Sequence, residues 1–234
     1  MGRPHSVIEK TDWNYAHLKA FLPEDRDAKI LDVGCGNGRH MAALRDLGYS
    51  NVTGIDLFQS IPAHDLNYRK GSITNIPFDD GTFDFVYSCG SVVSHAEIPE
   101  QWTKEFARVL KPGGRCLVTA HTKHSTFTAW RYLMRFINHR NWQHLRGFHF
   151  VSTQRIRDAL RHAGLTEIVL TGYKPSIFWL VRPMNNHLVM PVLAKVGVKI
   201  PYMRPWVTKS AIGRRINSVI GYHAVYFYEK SAKG

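Results

Sequence analysis

The feature that most constrains this chain is a short apolar segment that runs directly into a cluster of glycines. Residues 29–33 (KILDV) read as a buried strand, and Gly34, Gly36 and Gly38 follow at alternate positions before a helical pattern begins. Because glycines lack a Cβ atom, the backbone can turn sharply there and a ligand can approach the main chain. The segment therefore predicts a ligand-binding loop at the carboxyl edge of a parallel sheet.

The spacing of these glycines narrows the choice of ligand. A dinucleotide fingerprint of the GxGxxG type needs glycine where this chain has Arg39, so NAD and FAD are disfavoured. A P-loop is excluded because no GK[ST] follows. Asp56 ends the next predicted strand, residues 52–56, where a carboxylate can accept both hydroxyls of a ribose. Asp32 reads as a buried acid whose oxygens are satisfied by N–H groups of the loop and which shapes the site.

Strand and helix patterns alternate along the first part of the chain. Further strands are predicted at residues 83–88, 115–120, 167–171 and 224–229, and helices at 97–110 and 152–163. This alternation predicts a parallel sheet covered on both faces. We interpret residues 1–234 as one domain with two insertions, at about 122–150 and 175–221, that form a lid over the substrate.

Four segments carry a resemblance to a known family: ILDVGCGNGRH, GIDLF, IPFDDGTFDFVYS and RVLKPGGRCLV. In order and spacing they resemble motifs of the class I S-adenosylmethionine (SAM)-dependent methyltransferases, in particular the subgroup that includes the ubiquinone and menaquinone biosynthetic enzymes. The resemblance extends over about residues 28–121 and the helix near 152–164. It implies an enzyme that uses SAM and has a doubly wound, Rossmann-like α/β fold. The implied sheet is seven-stranded and mostly parallel, with an antiparallel final strand and helical lid insertions.

The same resemblance implies which residues bind the cofactor. Asp32 and the loop would wrap the methionine part of SAM, Asp56 would bind the ribose hydroxyls, and Leu57 would flank the adenine. Where the family often has an acid after glycine, this chain has Gly71-Ser72-Ile73, so Ser72 supplies a hydroxyl without charge. The expected cofactor-binding residues are Asp32, Gly34, Cys35, Gly36, Asn37, Gly38, Asp56, Leu57, Ser72, Ile73, Ser88 and Cys89.

Methyl transfer from a sulfonium needs alignment and a dry pocket, and a hydroxyl acceptor also needs a base. His95 and His121 follow strands that end at the predicted ligand edge, so both are candidate bases; in the other interpretation they are ordinary surface or core histidines. Tyr15 and Trp130 are candidate substrate contacts, with packing of an N-terminal helix and of a lid helix as the alternatives. The histidine spacing gives little support to a metal site.

The charge of the chain is concentrated in its second half. Residues 1–120 carry a net charge of −2, whereas residues 121–234 carry 18 Lys and Arg but three acids, a net charge of +15. Basic residues interleaved with aromatics suit an anionic small molecule, a membrane surface or single-stranded nucleic acid. The apolar stretches 177–181 and 188–198 are broken by prolines. They favour an apolar substrate pocket or an element at a membrane interface over an RNA groove.

We therefore expect a small-molecule or lipid-like, anionic acceptor with an O, N or C nucleophile. An RNA or tRNA methyltransferase and a non-catalytic SAM- or nucleoside-binding module are the alternatives. Three widely separated cysteines, and the lack of a secretory or spanning apolar segment in this sequence, predict a cytoplasmic location. Peripheral contact with anionic membranes is a further hypothesis.

Overall fold

The computed structural model describes residues 13–58, 66–90, 92–121, 123, 149–173 and 223–232. Most of the two predicted insertions, and with them Trp130, lie outside the described residues. Within the described residues, no helix has the length and apolar character that a membrane span requires.

Four helices and seven strands make up the described part of the chain. The helices are α1 (Trp13–Ala20), α2 (Arg39–Asp46), α3 (Pro99–Val109) and α4 (Thr153–His162), with one turn of 3-10 helix over Val92–His95. The strands are β1 (Ile30–Val33), β2 (Val52–Asp56), β3 (Asn67–Lys70), β4 (Phe83–Ser88), β5 (Leu110–His121), β6 (Leu165–Tyr173) and β7 (His223–Lys230). The predicted bounds of β2 and β4 are confirmed.

The strands form one sheet in the order β3-β2-β1-β4-β5-β7-β6. Strands β1 to β5 pair in parallel, and β7 runs antiparallel to both β5 and β6. This confirms the predicted doubly wound, Rossmann-like sheet and its antiparallel final strand. The strand order reverses between β1 and β4, so their carboxyl ends border the crevice in which ligands bind in such sheets.

Strand β3 is absent from the pattern-based prediction. Its sequence, NYRK, has no aliphatic residue, and three of its four residues are exposed. It pairs with β2 alone and forms one edge of the sheet. An edge strand that buries so little apolar surface leaves no hydrophobic alternation for a sequence pattern to detect.

The start of β5 also differs from the prediction. Residues 111–114 (KPGG) were expected to separate helix from strand, with the strand beginning at Arg115. Instead Leu110 already pairs with Phe83, and Arg115 pairs with Phe85, so a shift of register accommodates the intervening residues. Helix α3 ends at Val109 because the next residue takes an extended conformation.

Two apolar clusters lie on opposite faces of the sheet. Because successive side chains of a strand point to opposite sides, Leu31 packs in the cluster of α3 and α4, and Ile30 in the cluster of α1 and α2. Trp102 and Phe106 of α3 are buried. Each such side chain stabilises the fold by about 1.5–3 kcal/mol relative to exposure. The sheet is therefore held between two helical layers.

Candidate active site

The loop after β1 has the conformation that its glycines allow. Gly34, Gly36 and Gly38 all have positive φ, at 80°, 54° and 72°. The backbone nitrogens of Gly34 and Cys35 donate to the Ile55 carbonyl at 2.8 and 3.1 Å, which anchors the loop to β2. A side chain at Gly34 would collide with Val92, whereas one at Gly36 would project into open space. The outer surface of the loop at Gly36 is thus open to a ligand.

Asp56 lies at the end of β2, half-buried, and both of its carboxylate oxygens already bind backbone nitrogens. Oδ2 accepts from Gly36 N and Oδ1 from Phe58 N, each at 2.9 Å. A carboxylate oxygen has two acceptor positions, so each keeps one for a further donor. The arrangement supplies two adjacent acceptors beside the open loop, as a vicinal diol requires.

The loop after β2 has a brace that sequence reasoning missed. The Tyr68 hydroxyl lies 3.2 Å from the carbonyl oxygens of both Asp56 and Phe58. Its position in the polar edge strand β3 left no signal that would have identified it. Leu57, the predicted adenine neighbour, is 54% exposed and so presents an apolar surface next to this brace.

Asp32 is buried at the carboxyl end of β1, and the prediction that loop N–H groups satisfy its oxygens was wrong. No loop N–H group binds its Oδ2, and the Tyr87 hydroxyl on the neighbouring strand is the side-chain donor to the carboxyl. Burial raises the pKa of the carboxyl to about 6, although the charge of His40 and the Tyr87 hydroxyl lower it. A buried carboxylate at the carboxyl end of β1, beside the glycine loop, would suit a cationic ligand group.

The predicted adenine contacts after β3 form a tight turn. The hydroxyl of Ser72 lies 2.9 Å from the Thr74 hydroxyl and accepts from Thr74 N at 3.2 Å. Gly71 N donates to the Asp56 carbonyl at 3.0 Å, which holds this turn against the end of β2. Ile73 is half-buried and packs on the core. The cofactor contacts of Ser72 and Ile73 stay predictions.

Ser88 and Cys89 end β4 beside the loop. Ser88 is fully buried, and its hydroxyl donates to the Val33 carbonyl at 2.9 Å, so it braces β4 against β1. The Cys89 thiol lies 4.0 Å from the Asn14 carbonyl of α1. Their contacts with the cofactor also stay predictions, and the side chain of Ser88 has a structural role of its own.

Helix α1 covers this end of the sheet. Tyr15 is fully buried and its ring stacks with His40, with 6.0 Å between ring centroids. This arrangement corresponds to the packing interpretation of Tyr15. Asn14 lies next to Thr119 of β5, with its Oδ1 3.4 Å from the Thr119 hydroxyl. The helix therefore closes the face of the sheet that carries Asp32.

The two candidate bases lie close together through Ser94. His121 ends β5 and is buried, and its backbone nitrogen donates to the Ser94 hydroxyl at 3.2 Å. His95 follows Ser94 directly and is exposed. The Ser94 carbonyl accepts from His149 N. One buried serine therefore joins the segment after β4, the end of β5 and the segment before α4. Sequence reasoning missed Ser94 because its role depends on this three-way contact.

These residues match the polar groups of SAM. Asp56 offers acceptors for a diol, Leu57 an apolar surface, Gly36 an open main chain, and Asp32 a buried carboxylate. Among the described residues, no group of three or more metal-ligating side chains lies close enough together to hold an ion.

The comparisons with known proteins identify the family. Residues 31–118 match the model of a methyltransferase domain. A demethylmenaquinone methyltransferase from Chlorobaculum tepidum is 38% identical over 99 residues, which cover 40% of each chain. Residues 31–118 belong to the class I SAM-dependent methyltransferase family. SAM is the cofactor of this methyltransferase domain, and Asp32, Asp56 and Cys89 all lie inside the matched region.

Other relatives act on different acceptors. A tRNA U34 carboxymethyltransferase from Nautilia profundicola is 30% identical over 105 residues, which are 41% of this chain and 34% of the relative. The chain thus spans less than half the length of these two curated relatives. The solved geranyl diphosphate C-methyltransferase from Streptomyces coelicolor A3(2) has the same fold, with a TM-score of 0.62 at 16% identity. That alignment covers 92% of this chain and 78% of the other.

Proposed function

We propose that this chain is an active methyltransferase that transfers the methyl group of SAM to a small or lipid-like, anionic acceptor. The proposal rests mainly on the hydrogen bond from Gly36 N to the Asp56 carboxylate. This carboxylate keeps two acceptor positions for a ligand, beside an open main chain at Gly36. The buried carboxylate of Asp32, at the end of β1 from which the loop starts, supports it. A non-catalytic SAM-binding module would need the same residues, so binding alone does not separate the two.

Methyl transfer requires little of the protein beyond alignment of the cofactor with the acceptor. When bound, SAM supplies a methyl group on a sulfonium, which an acceptor nucleophile displaces in line while the electron pair of the broken C–S bond stays on sulfur. Asp56 and the glycine loop orient the nucleoside part, and Asp32 holds the charged end. Helix α1 and Tyr15 exclude water from that face of the sheet. With an acidic O–H or N–H acceptor, His121 or His95 takes up the released proton.

The side chains beside the candidate bases support an anionic acceptor. A pocket of about 380 Å³ is lined by residues that include Lys123, His149, Phe150 and Arg155, and its wall reaches His121 through Phe150 and not through either candidate base itself. The Phe150 ring centroid lies 6.0 Å from that of His121. Arg155 is paired with Glu100, whereas no ion pair joins Lys123 to an acid among the described residues. The Lys123 ammonium, the His149 imidazole and the Phe150 ring would suit an acceptor with an anionic group and an apolar part.

The relatives leave the acceptor open, since they include a demethylmenaquinone methyltransferase and a tRNA U34 carboxymethyltransferase. Nucleic acid is the second candidate. The lining of the pocket, in which Glu97 lies among Lys123 and Arg155, is not the continuous basic surface that binds a phosphate backbone. Peripheral contact with anionic membranes would bring a lipid-like acceptor to the pocket. Flotation at low salt tests this contact: binding to anionic but not to neutral vesicles supports it, and equal binding to both contradicts it.

Two experiments test the proposal. Calorimetry with SAM should show binding to the wild type and at least a tenfold loss in Asp56→Asn, while Asp46→Asn, an exposed acid at the end of α2, serves as the matched control. A methyl-transfer screen against anionic small molecules, lipid extract and bulk tRNA then identifies the acceptor class. Incorporation into tRNA alone would replace the proposed acceptor, and SAM binding without transfer to any pool would favour the non-catalytic module.

A further inference from the structure

Strand β5 extends beyond its neighbour β4 at the edge of the sheet that carries the site. Strand β4 ends at Ser88, which pairs with Val118, whereas β5 continues to His121. On its other side, β5 stays paired with β7 as far as His121. The backbone groups of residues 119–121 that face β4 therefore need partners from outside the sheet, because buried N–H groups are nearly always hydrogen-bonded.

The side chain of Ser94 supplies the partner for the last residue of β5. Ser94 and His121 are both buried, with exposed fractions of 3% and 8%, and His121 N donates to the Ser94 hydroxyl at 3.2 Å. Ser94 lies in the 3-10 turn Val92–His95, which a 3.2 Å bond from Ala96 N to the Val93 carbonyl closes. A buried hydroxyl in a hydrogen-bonded turn thus fixes the backbone at the point where the His121 side chain begins.

The carbonyl of the same serine holds the segment that leads into α4. His149 N donates to it at 2.6 Å. Phe150 follows, with its ring centroid 6.0 Å from that of His121, and both His149 and Phe150 line the pocket of about 380 Å³. One candidate base and one wall of the pocket therefore share a single anchor.

We propose that Ser94 is a positioning residue of the acceptor site, whose hydroxyl places the His121 imidazole and whose carbonyl keeps the pocket wall in register with it. The inference rests on the proposed function, because it takes His121 as the base. As the acceptor bonds to the methyl group, its O–H or N–H bond breaks and the proton passes to the imidazole. Ser94 does not touch the reacting atoms. It acts through His121, and a misplacement of about 1 Å can lower a rate 100-fold.

Replacing Ser94 by alanine removes the hydroxyl and leaves the carbonyl, so it separates the two contacts. The His121 N–H group then loses its acceptor. Transfer from SAM with a tritiated methyl group to anionic small molecules, lipid extract or bulk tRNA, whichever the wild type labels, should be about tenfold slower in Ser94→Ala. Ser94→Thr keeps the hydroxyl and should restore the rate. If alanine unfolds the protein, Ser94→Cys takes its place, because a thiol of similar size accepts hydrogen bonds only weakly.

The matched control removes a buried hydroxyl of the same kind elsewhere in the sheet. Thr53 of β2 is buried, and its hydroxyl accepts from Asn67 Nδ2 at 2.8 Å. Thr53→Val should therefore cost stability as Ser94→Ala does and leave the rate of transfer unchanged. A thermal midpoint measured for each variant assigns a loss of rate to unfolding where the protein has unfolded.

A double-mutant cycle shows whether Ser94 acts through His121. His121→Gln should lower the rate about 100-fold, and Ser94→Ala should cost nothing further in that background because the base is already absent. Hydrogen exchange gives a readout without turnover: the His121 amide should exchange faster in Ser94→Ala, while the His149 amide stays protected.

Each outcome decides a different question. A wild-type rate in Ser94→Ala, an equal loss in Ser94→Thr, or a further tenfold loss in the double variant would overturn the positioning role and leave the proposed function intact. If the wild type labels none of the three pools, the proposed function is overturned, and this inference with it.

Discussion

The backbone nitrogen of Gly36 donates a 2.9 Å hydrogen bond to Oδ2 of Asp56, twenty residues further along the chain. This bond holds the middle of the glycine loop against the end of β2. Oδ1 of the same carboxylate accepts from Phe58 N, so Asp56 fixes the residues on both sides of the nucleoside site. The Asp56 side chain therefore positions both the acceptor oxygens for a ligand and the open main chain of the glycine loop.

Replacing Gly36 by alanine should abolish cofactor binding with a modest loss of stability. Its φ of 54° is unfavourable for alanine, at a cost of about 1–2 kcal/mol, but a Cβ there meets no protein atom. That Cβ would instead occupy the space open to the ligand. We expect calorimetry to show at least a tenfold loss of SAM affinity. Gly48→Ala has a similar backbone cost, with φ of 92° and open surroundings, and should bind SAM normally. Equal losses in both variants would contradict this assignment.

Asp32 should make cofactor binding and stability respond to pH in opposite directions. Burial raises the pKa of its carboxyl from 3.8 to about 6, so ionising it costs the folded protein about 3 kcal/mol. Because the folded-state pKa is above the unfolded value, its contribution to stability is full below about pH 4 and is lost as pH rises through about 6. The ammonium of SAM needs the ionised carboxylate, so SAM affinity should fall as pH drops below 6.

Asp32→Asn tests both halves of this expectation. The variant should bind SAM poorly at every pH and should unfold at a higher denaturant concentration than the wild type at pH 8. At pH 4 the difference in unfolding free energy should shrink. A wild-type SAM affinity that stays constant between pH 8 and pH 5 would contradict the role of the carboxylate. Asp46→Asn is the control for a change of net charge alone.

The sequence predicted those parts of the site that depend on local conformation. Gly34, Gly36 and Gly38 have positive φ, which a glycine can adopt whatever the rest of the fold does. Likewise the helix predicted from residue 152 begins there, because the Ser152 hydroxyl accepts from Arg155 N at 3.2 Å. Both depend on neighbours within a few residues, which a linear pattern contains.

The contacts that sequence reasoning missed join distant segments. Ser94 links His121 and His149, and Tyr68 braces the loop after β2 from an edge strand. The pairing of Asp32 with Tyr87 depends on the register of β1 and β4, which the hydrophobic pattern of two fully buried strands does not fix. Long-range polar contacts of this kind leave no periodic signal.

A partly buried ion pair between α4 and β6 should contribute to stability. The Arg157 guanidinium binds both oxygens of Glu167, at 2.7 and 3.1 Å, and the Tyr228 hydroxyl donates to the same carboxylate. Burial acts to raise the pKa of Glu167, but these donors outweigh it and lower the pKa overall. Glu167→Gln should reduce the unfolding free energy by about 2–3 kcal/mol, because it leaves Arg157 buried without its counterion.

The matched control for this pair is Glu229→Gln. Glu229 binds Arg115 at 3.0 Å, but both side chains are largely exposed, so its loss should change stability by less than about 1 kcal/mol. The stabilising contribution of Glu167 is present above the unfolded pKa of 4.5 and is lost as pH falls through the lower folded value. Urea unfolding at pH 7 measures both variants, and similar effects for the two would disprove the assignment.

His121 should carry proton transfer if the acceptor is a hydroxyl. Its position at the end of β5, held through Ser94, is better defined than that of the exposed His95. With the acceptor identified, His121→Gln should lower kcat by about 100-fold with unchanged SAM affinity. His162→Gln, on the exposed face of α4, should have no effect. An unchanged kcat in His121→Gln would indicate an acceptor that ionises on its own or a different base.

Lys123 should determine how strongly an anionic acceptor binds. Its ammonium is exposed at the wall of the pocket beside His149 and Phe150, so it can approach a carboxylate or phosphate without breaking an ion pair among the described residues. Lys123→Ala should raise the KM for the acceptor about tenfold and leave kcat nearly unchanged, because the lost contact exists before and during transfer. Lys104→Ala, which removes an exposed charge from α3, should leave the KM unchanged.

Since Coulomb attraction at an exposed site is screened, the wild-type KM should also rise with ionic strength, and the rise should be smaller in Lys123→Ala. Equal salt dependence in the two proteins would show that this lysine does not contact the acceptor.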